Sequence, residues 1–190
     1  MNVSPRGLAL LVAVFCLVPT ASQSADARAA PSAGTPREIK WLDLVPPGWD
    51  PGAALREKMD GKPLPMSDAD PGVIRMLRDM REVWDNAPVN EAMDGVLVKL
   101  PGYVVPLEET RDGVKEFLLV PYFGACIHSP PPPANQIVHV VTAKPARGLR
   151  SMDVVWTTGT LQAQRQDSYM GKSGYHMKAV KIEAYTAPKN

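Results

Sequence analysis

At 190 residues the chain has room for one domain and hardly two. Its 45% hydrophobic and 22% charged residues are an ordinary globular balance, and a net charge of +1 leaves no electrostatic footprint for nucleic acid or an anionic membrane. Twenty prolines, about twice the usual share, argue against a fold made mainly of long helices.

The chain opens Met1-Asn2-Val3-Ser4-Pro5-Arg6, runs through apolar Leu8 to Val18, and leaves by small residues around Ala25-Asp26-Ala27. A positive start, an apolar stretch of about eleven residues and a small-x-small exit predict a secretory signal over residues 1–27, cleaved after Ala27 or Ser24. The stretch is shorter than the ~20 residues a bilayer span needs, so no transmembrane segment is expected in the mature chain. Cleavage after Ala27 takes Arg6 and Asp26 together and leaves the net charge unchanged. It also takes Cys16, whose preceding Phe15 is too large for a lipidation site. Cys126 then stands alone, with no internal disulfide to make, and the domain must rest on its core.

Residues 28–37 are small and Pro-rich and read as a flexible leader. Residues 38–89 read as a helical and extended segment packed on the main domain. Within it, Glu38 to Trp49 suggests a short strand or extended anchor with Trp41 on the core. Asp50-Pro51 is a cap followed by proline at the first helical position, predicting a brief helix through Met59. Asp70-Pro71 repeats that signal. Val73, Ile74, Met76, Leu77, Met80, Val83 and Trp84 follow at helical spacing, an apolar stripe expected to pack on the core before Ala87-Pro88 ends the helix.

From Asn90 the period becomes two, and residues 90–190 are expected to form the main domain. Gly95 to Leu100 is one strand. Pro101-Gly102 is a turn or bulge, and Tyr103 to Leu107 continues extended, with Pro106 at an edge or bulge. Arg111-Asp112-Gly113 signals a tight turn, and Val114 to Val120 returns as the partner strand, with Phe117 to Val120 apolar on both faces. Gln136 to Thr142, Val154 to Leu161 (Gly159 a bulge) and Tyr175 to Tyr185 complete the strands. Gly171-Lys172-Ser173-Gly174 reads as a flexible turn. Strands after a single main helix, without strand–helix alternation, predict a mainly β fold: a small antiparallel barrel preceded by an N-terminal helical segment.

Chemistry concentrates between Pro121 and Gln136. Pro130, Pro131, Pro132 and Pro133 set a polyproline II rod, and Gly124 permits a close turn. Cys126 and His128 thus sit in an extended or turned stretch held rigid from its C-terminal side, and in an extended chain, at i and i+2, they share a face. A thiolate and an imidazole on one face can ligate zinc or copper, with further ligands sought among Glu108, Glu109, Asp112, His139 and His176. The same two groups can pair as thiolate and imidazolium and make a nucleophile. Cys126 can equally be a small buried apolar residue beside a hydrogen-bonded His128. No other catalytic constellation stands out. Glu108-Glu109 reads as a solvated hairpin end.

Gly102-Tyr103-Val104-Val105-Pro106-Leu107-Glu108, Phe117 to His128 and Pro130-Pro131-Pro132-Pro133-Ala134-Asn135-Gln136 together resemble the bacterial family of domains of unknown function 3299, over roughly residues 90–185. The resemblance implies a periplasmic protein with a small barrel of the oligonucleotide/oligosaccharide-binding (OB) type, often encoded beside ABC transporters. It places Cys126 and His128 inside the family motif and His139 and His176 outside it.

Three expectations follow. The first is a periplasmic accessory protein that binds zinc or copper through Cys126 and His128 and serves an ABC-type transporter. The second is an envelope adaptor that docks a permease or other envelope protein through Tyr122, Phe123, Pro130, Pro131, Pro132, Pro133 and Asn135. The third is a thiol-dependent enzyme. Nucleic acid is an expected partner of none of them.

Overall fold

A computed structural model describes Met1, residues 34–59 and residues 72–186. The chain divides into Met1–Ala30 and Pro31–Asn190, and the architecture that follows belongs to the second unit. The predicted signal, most of the leader and the Asp70-Pro71 cap lie outside the described residues.

The longest strand is β2, Leu97–Thr110. Its first half pairs antiparallel with β5 (Val154–Gln162), from Leu97 opposite Thr160 to Tyr103 opposite Val154. Its second half pairs antiparallel with β3 (Gly113–Val120), from Tyr103 opposite Val120 onward. Pro101-Gly102 is therefore no turn: both residues stay in the ladder, opposite Trp156 and Val155, where β2 passes from one partner to the other. Gly102 is required at that passage, since a Cβ there would lie 2.7 Å from the Leu119 side chain and 2.9 Å from Trp41. The expected irregularities at Pro106 and Gly159 are present as register shifts.

β3 pairs with β4 (Val138–Ala146), β4 with β8 (Tyr175–Ala184), and β8 with β5, which closes a five-strand barrel in the order β2-β3-β4-β8-β5. The barrel is not wholly antiparallel, because β4 and β8 run parallel. An odd number of strands in a closed ring cannot alternate in direction throughout, so one parallel pair is unavoidable. The turn expected at 171–174 is instead half of a small hairpin, β6 (Gln166–Ser168) with β7 (Gly171–Ser173), inserted between β5 and β8.

Period-two alternation sends Val98, Leu100, Val104, Phe117, Leu119, Val138, Val140, Leu161, Tyr175 and Met177 into the barrel. A second cluster lies on the other face of β3, where Leu118 and Val120 meet Val105, Ala125 and Ile137, with Cys126 and Met170 against it. This outer cluster is why β3 reads as apolar on both faces.

The N-terminal segment is fastened to the barrel by specific bonds. β1 (Arg37–Glu38), which takes in the end of the predicted leader, pairs parallel with Val98 and Lys99 of β2. A 3-10 turn spans Trp41–Leu44, and Trp41 Nε1 donates to the Pro101 carbonyl at 2.8 Å. Helix α1 is Pro51–Met59, with Asp50 Oδ1 accepting from the Gly52 amide at 2.8 Å as the cap signal implied. Helix α2 is Gly72–Asp85. Its apolar stripe is only partly used: Ile74 and Leu77 are 78% and 50% exposed, while Asp79 is buried. α2 lies against α1 and against β7, so part of the stripe faces away from the barrel.

Candidate functional site

The segment after β3 is a closed turn, not an extended strand. The Gly124 carbonyl accepts from the amides of Ile127, His128 and Ser129 at 3.2, 2.8 and 3.0 Å. Gly124 has φ +82°, and its own amide donates to Met152 Sδ at 3.2 Å. Cys126 itself takes φ +65°, a left-handed conformation uncommon for a residue with a side chain. The premise that Cys126 and His128 share the face of an extended chain therefore does not hold. Cys126 is half-buried against the outer cluster, whereas His128 is exposed. Among the described residues no three His, Cys, Asp or Glu side chains are grouped to hold a metal ion.

Burial pushes the Cys126 thiol up to about 11, outweighing the nearby positive charge of Arg81. At neutral pH the sulfur is therefore a protonated thiol. A catalytic thiol needs the opposite, a positive or polar setting that favours the thiolate. Cys126 lines a cleft of about 370 Å³ together with Arg81, Pro131, Asp167, Tyr169 and Lys172.

The turn presents an apolar surface. Tyr122, Phe123 and Ile127 are 43%, 64% and 39% exposed. Their backbone is constrained from both sides. Phe123 meets Tyr103 of β2 edge to face, centroids 5.9 Å apart, and the Tyr122 hydroxyl reaches the Pro130 carbonyl at 3.5 Å. The prolines behave as the rod their sequence implies, with Pro133 at φ −53° and ψ 146°. Pro130 is exposed, Pro131 and Pro133 are half-buried, and Pro132 is buried. Gly171 of β7 packs so closely on Pro131 that a Cβ there would lie 3.3 Å from it. Asn135 is fully buried, and its Nδ2 donates to the Pro88 carbonyl at 2.8 Å. It anchors the segment and is not part of its open surface.

The expected further metal ligands also separate. Glu108, Glu109 and Asp112 are exposed around the β2–β3 hairpin, as the solvated reading of the glutamates anticipated. His139 and His176 meet each other across β4 and β8, Nδ1 to Nδ1 at 3.0 Å, and His139 Nε2 meets Glu116 Oε1 at 2.5 Å. Sequence reading missed Glu116 altogether. The available signal was the alternation in Val138-His139-Val140, which puts a polar ring on the outward face of an apolar strand.

The profile of the family described as "Protein of unknown function (DUF3299)" matches residues 41–184. Among solved structures, the chain is similar to a DUF3299 family protein (PA4066) from Pseudomonas aeruginosa PAO1. The two are 38% identical over 82% of this chain and 100% of that one, with a TM-score of 0.62. An OBody, AM3L09, solved bound to hen egg-white lysozyme, is 19% identical over 50% of this chain and 86% of its own, TM-score 0.33. A putative aspartyl-tRNA synthetase from Leishmania major Friedlin is 16% identical over 74% of this chain and 27% of its own, TM-score 0.32. No curated protein matches the chain.

Proposed function

Given that the chain belongs to the DUF3299 family, we propose that it is a periplasmic accessory protein that docks an envelope partner, an ABC-type permease, through the turn at Pro121 to Pro133. The observation that carries this reading is the exposure of Tyr122, Phe123 and Ile127 on a turn whose backbone is already fixed by the Gly124 carbonyl and the proline rod. Aromatic side chains on a pre-ordered backbone lose little entropy on binding, which suits them to anchor an interface. The signal-like pattern of residues 1–27 supports the compartment. The order β2-β3-β4-β8-β5, with its single parallel pair, supports an OB-type barrel. Such a barrel gives a scaffold and not a ligand.

Zinc or copper held by Cys126 and His128 is the competing proposal. It needs the metal to displace the thiol proton, and it needs further ligands from a partner or from water. One experiment separates the two. The tagged chain is expressed with the ABC permease of its own host, and co-purification is compared for wild type, Phe123→Glu and Cys126→Ser. Docking through the turn predicts loss with Phe123→Glu and retention with Cys126→Ser. Undiminished capture by Phe123→Glu sinks the docking reading. Loss with Cys126→Ser, together with one equivalent of zinc or copper in the wild type, favours the metal.

A further inference from the structure

His139 and His176 are Cα partners across the parallel pair β4–β8, on the outward face of the barrel, and both are buried. Their Nδ1 atoms are 3.0 Å apart, and Glu116, two residues before Leu118 on β3, meets the far nitrogen of His139. A carboxylate only accepts, so His139 carries its proton on Nε2 and offers Nδ1 as a lone pair. His176 must then donate through its own Nδ1–H. The result is one chain of hydrogen bonds, from His176 to His139 to Glu116, linking three adjacent strands.

From this geometry we propose that Glu116, His139 and His176 form a proton-operated latch at the base of the β6–β7 hairpin. The facing rings hold three ring protons at most. One added proton settles on His176 Nε2 and leaves the chain of bonds intact. The next can only go to His139 Nδ1, where it points at the Nδ1–H of His176, so the rings must part.

The charged groups acting on His176 are His139, Lys178 on its own strand and Glu116 on β3. Burial foremost, then His139 and Lys178, hold the His176 imidazolium below its ordinary range, while Glu116 acts against them. A lowered histidine is protonated first in the opened state. The closed state thus takes up protons less readily than the opened one, so the latch is firm above about pH 6.5 and weakens progressively as pH falls below it, giving way when the second proton arrives.

What opens is specified by the register. His176 faces Gln162 of β5, and the hairpin 166–173 hangs between these two residues. Asp167, Tyr169 and Lys172 of that hairpin wall the cleft that holds Cys126, so acid loosens one side of the cleft while the barrel core remains.

The test is amide hydrogen exchange of the full chain between pH 7.5 and 4.5, corrected for intrinsic rates. Amides 162–176 are expected to lose protection by about tenfold or more on acidification while β2–β3 amides hold. His176→Gln should remove the pH dependence. Glu116→Gln, a change at a partly exposed site, should move the loss to higher pH, because the closed state then holds extra protons less well. Protection that does not change with pH overturns the latch, as does a pH dependence that survives unchanged in His176→Gln. Saturable zinc binding that protects these amides and vanishes in His176→Gln would make the pair a metal site and would also overturn it.

Discussion

The Tyr175 hydroxyl donates to the Leu44 carbonyl at 2.6 Å and accepts from the Asn90 amide at the same distance. One buried phenol thus joins the barrel's last strand to Leu44 of the N-terminal segment and to Asn90 just beyond its end, 131 and 85 residues away in sequence. Removing the oxygen leaves a buried carbonyl and a partly buried amide without this partner. Tyr175→Phe is expected to cost about 1–3 kcal/mol in urea unfolding. Burial pushes the hydroxyl up to about 12. The folded state therefore keeps its proton where the unfolded chain has lost it, and stability falls as pH rises above about 10. That alkaline loss should be smaller in Tyr175→Phe.

Gly159 sits where β5 slips register against β8, and a Cβ there would lie 2.5 Å from the Lys178 carbonyl and 2.7 Å from Met177 Cγ. The obstruction is backbone, which cannot swing aside. Gly159→Ala should lower stability by about 1–3 kcal/mol, read by thermal or urea unfolding. Gly148, with nothing within 4 Å of such a Cβ, is the contrasting site. Its φ of +75° makes the cost of Gly148→Ala one of backbone conformation, about 1 kcal/mol.

Cys126 is expected to alkylate slowly. Raising a thiol from 9.0 to about 11 leaves roughly a hundredth of the ordinary thiolate at pH 8. Iodoacetamide should react at least tenfold more slowly with folded than with urea-unfolded chain at that pH. The rate should keep rising tenfold per pH unit beyond pH 9. A folded-state rate equal to or above the unfolded one would restore the thiol-enzyme reading.

Arg165 closes the end of α2 by donating to the carbonyls of Asp85, Asn86 and Ala87 at 2.8, 3.0 and 2.6 Å. These carbonyls have few other partners at a helix C-terminus. Arg165→Ala should cost about 1 kcal/mol, since the residue is exposed, and should raise exchange in the last turn of α2 selectively. Arg165→Lys should recover only part, because an ammonium cannot fork across three acceptors.

Much of the fold was legible because short-range rules decide it. Asp50-Pro51 announced α1, period-two runs announced the five long strands, and Pro106 and Gly159 marked the irregularities. The hairpin 166–173 was not legible, because strands of three residues carry no periodicity. For a related reason the sequence could not decide between the extended and turned readings of the Cys126 stretch. Its left-handed backbone is imposed by amides converging on the Gly124 carbonyl, and residue preference alone argues against it.

The sequence by itself determined which residues alternate, that Asp50-Pro51 opens a helix and that Pro130 to Pro133 form a stiff rod. Those properties depend on local sterics and on the side-chain period. Tertiary structure alone decided that Asn135 is an internal anchor, that Ile74 and Leu77 stay exposed, and that Glu116, His139 and His176 meet. Each of those outcomes depends on the register and closure of strands far apart in the chain, and no local preference encodes it.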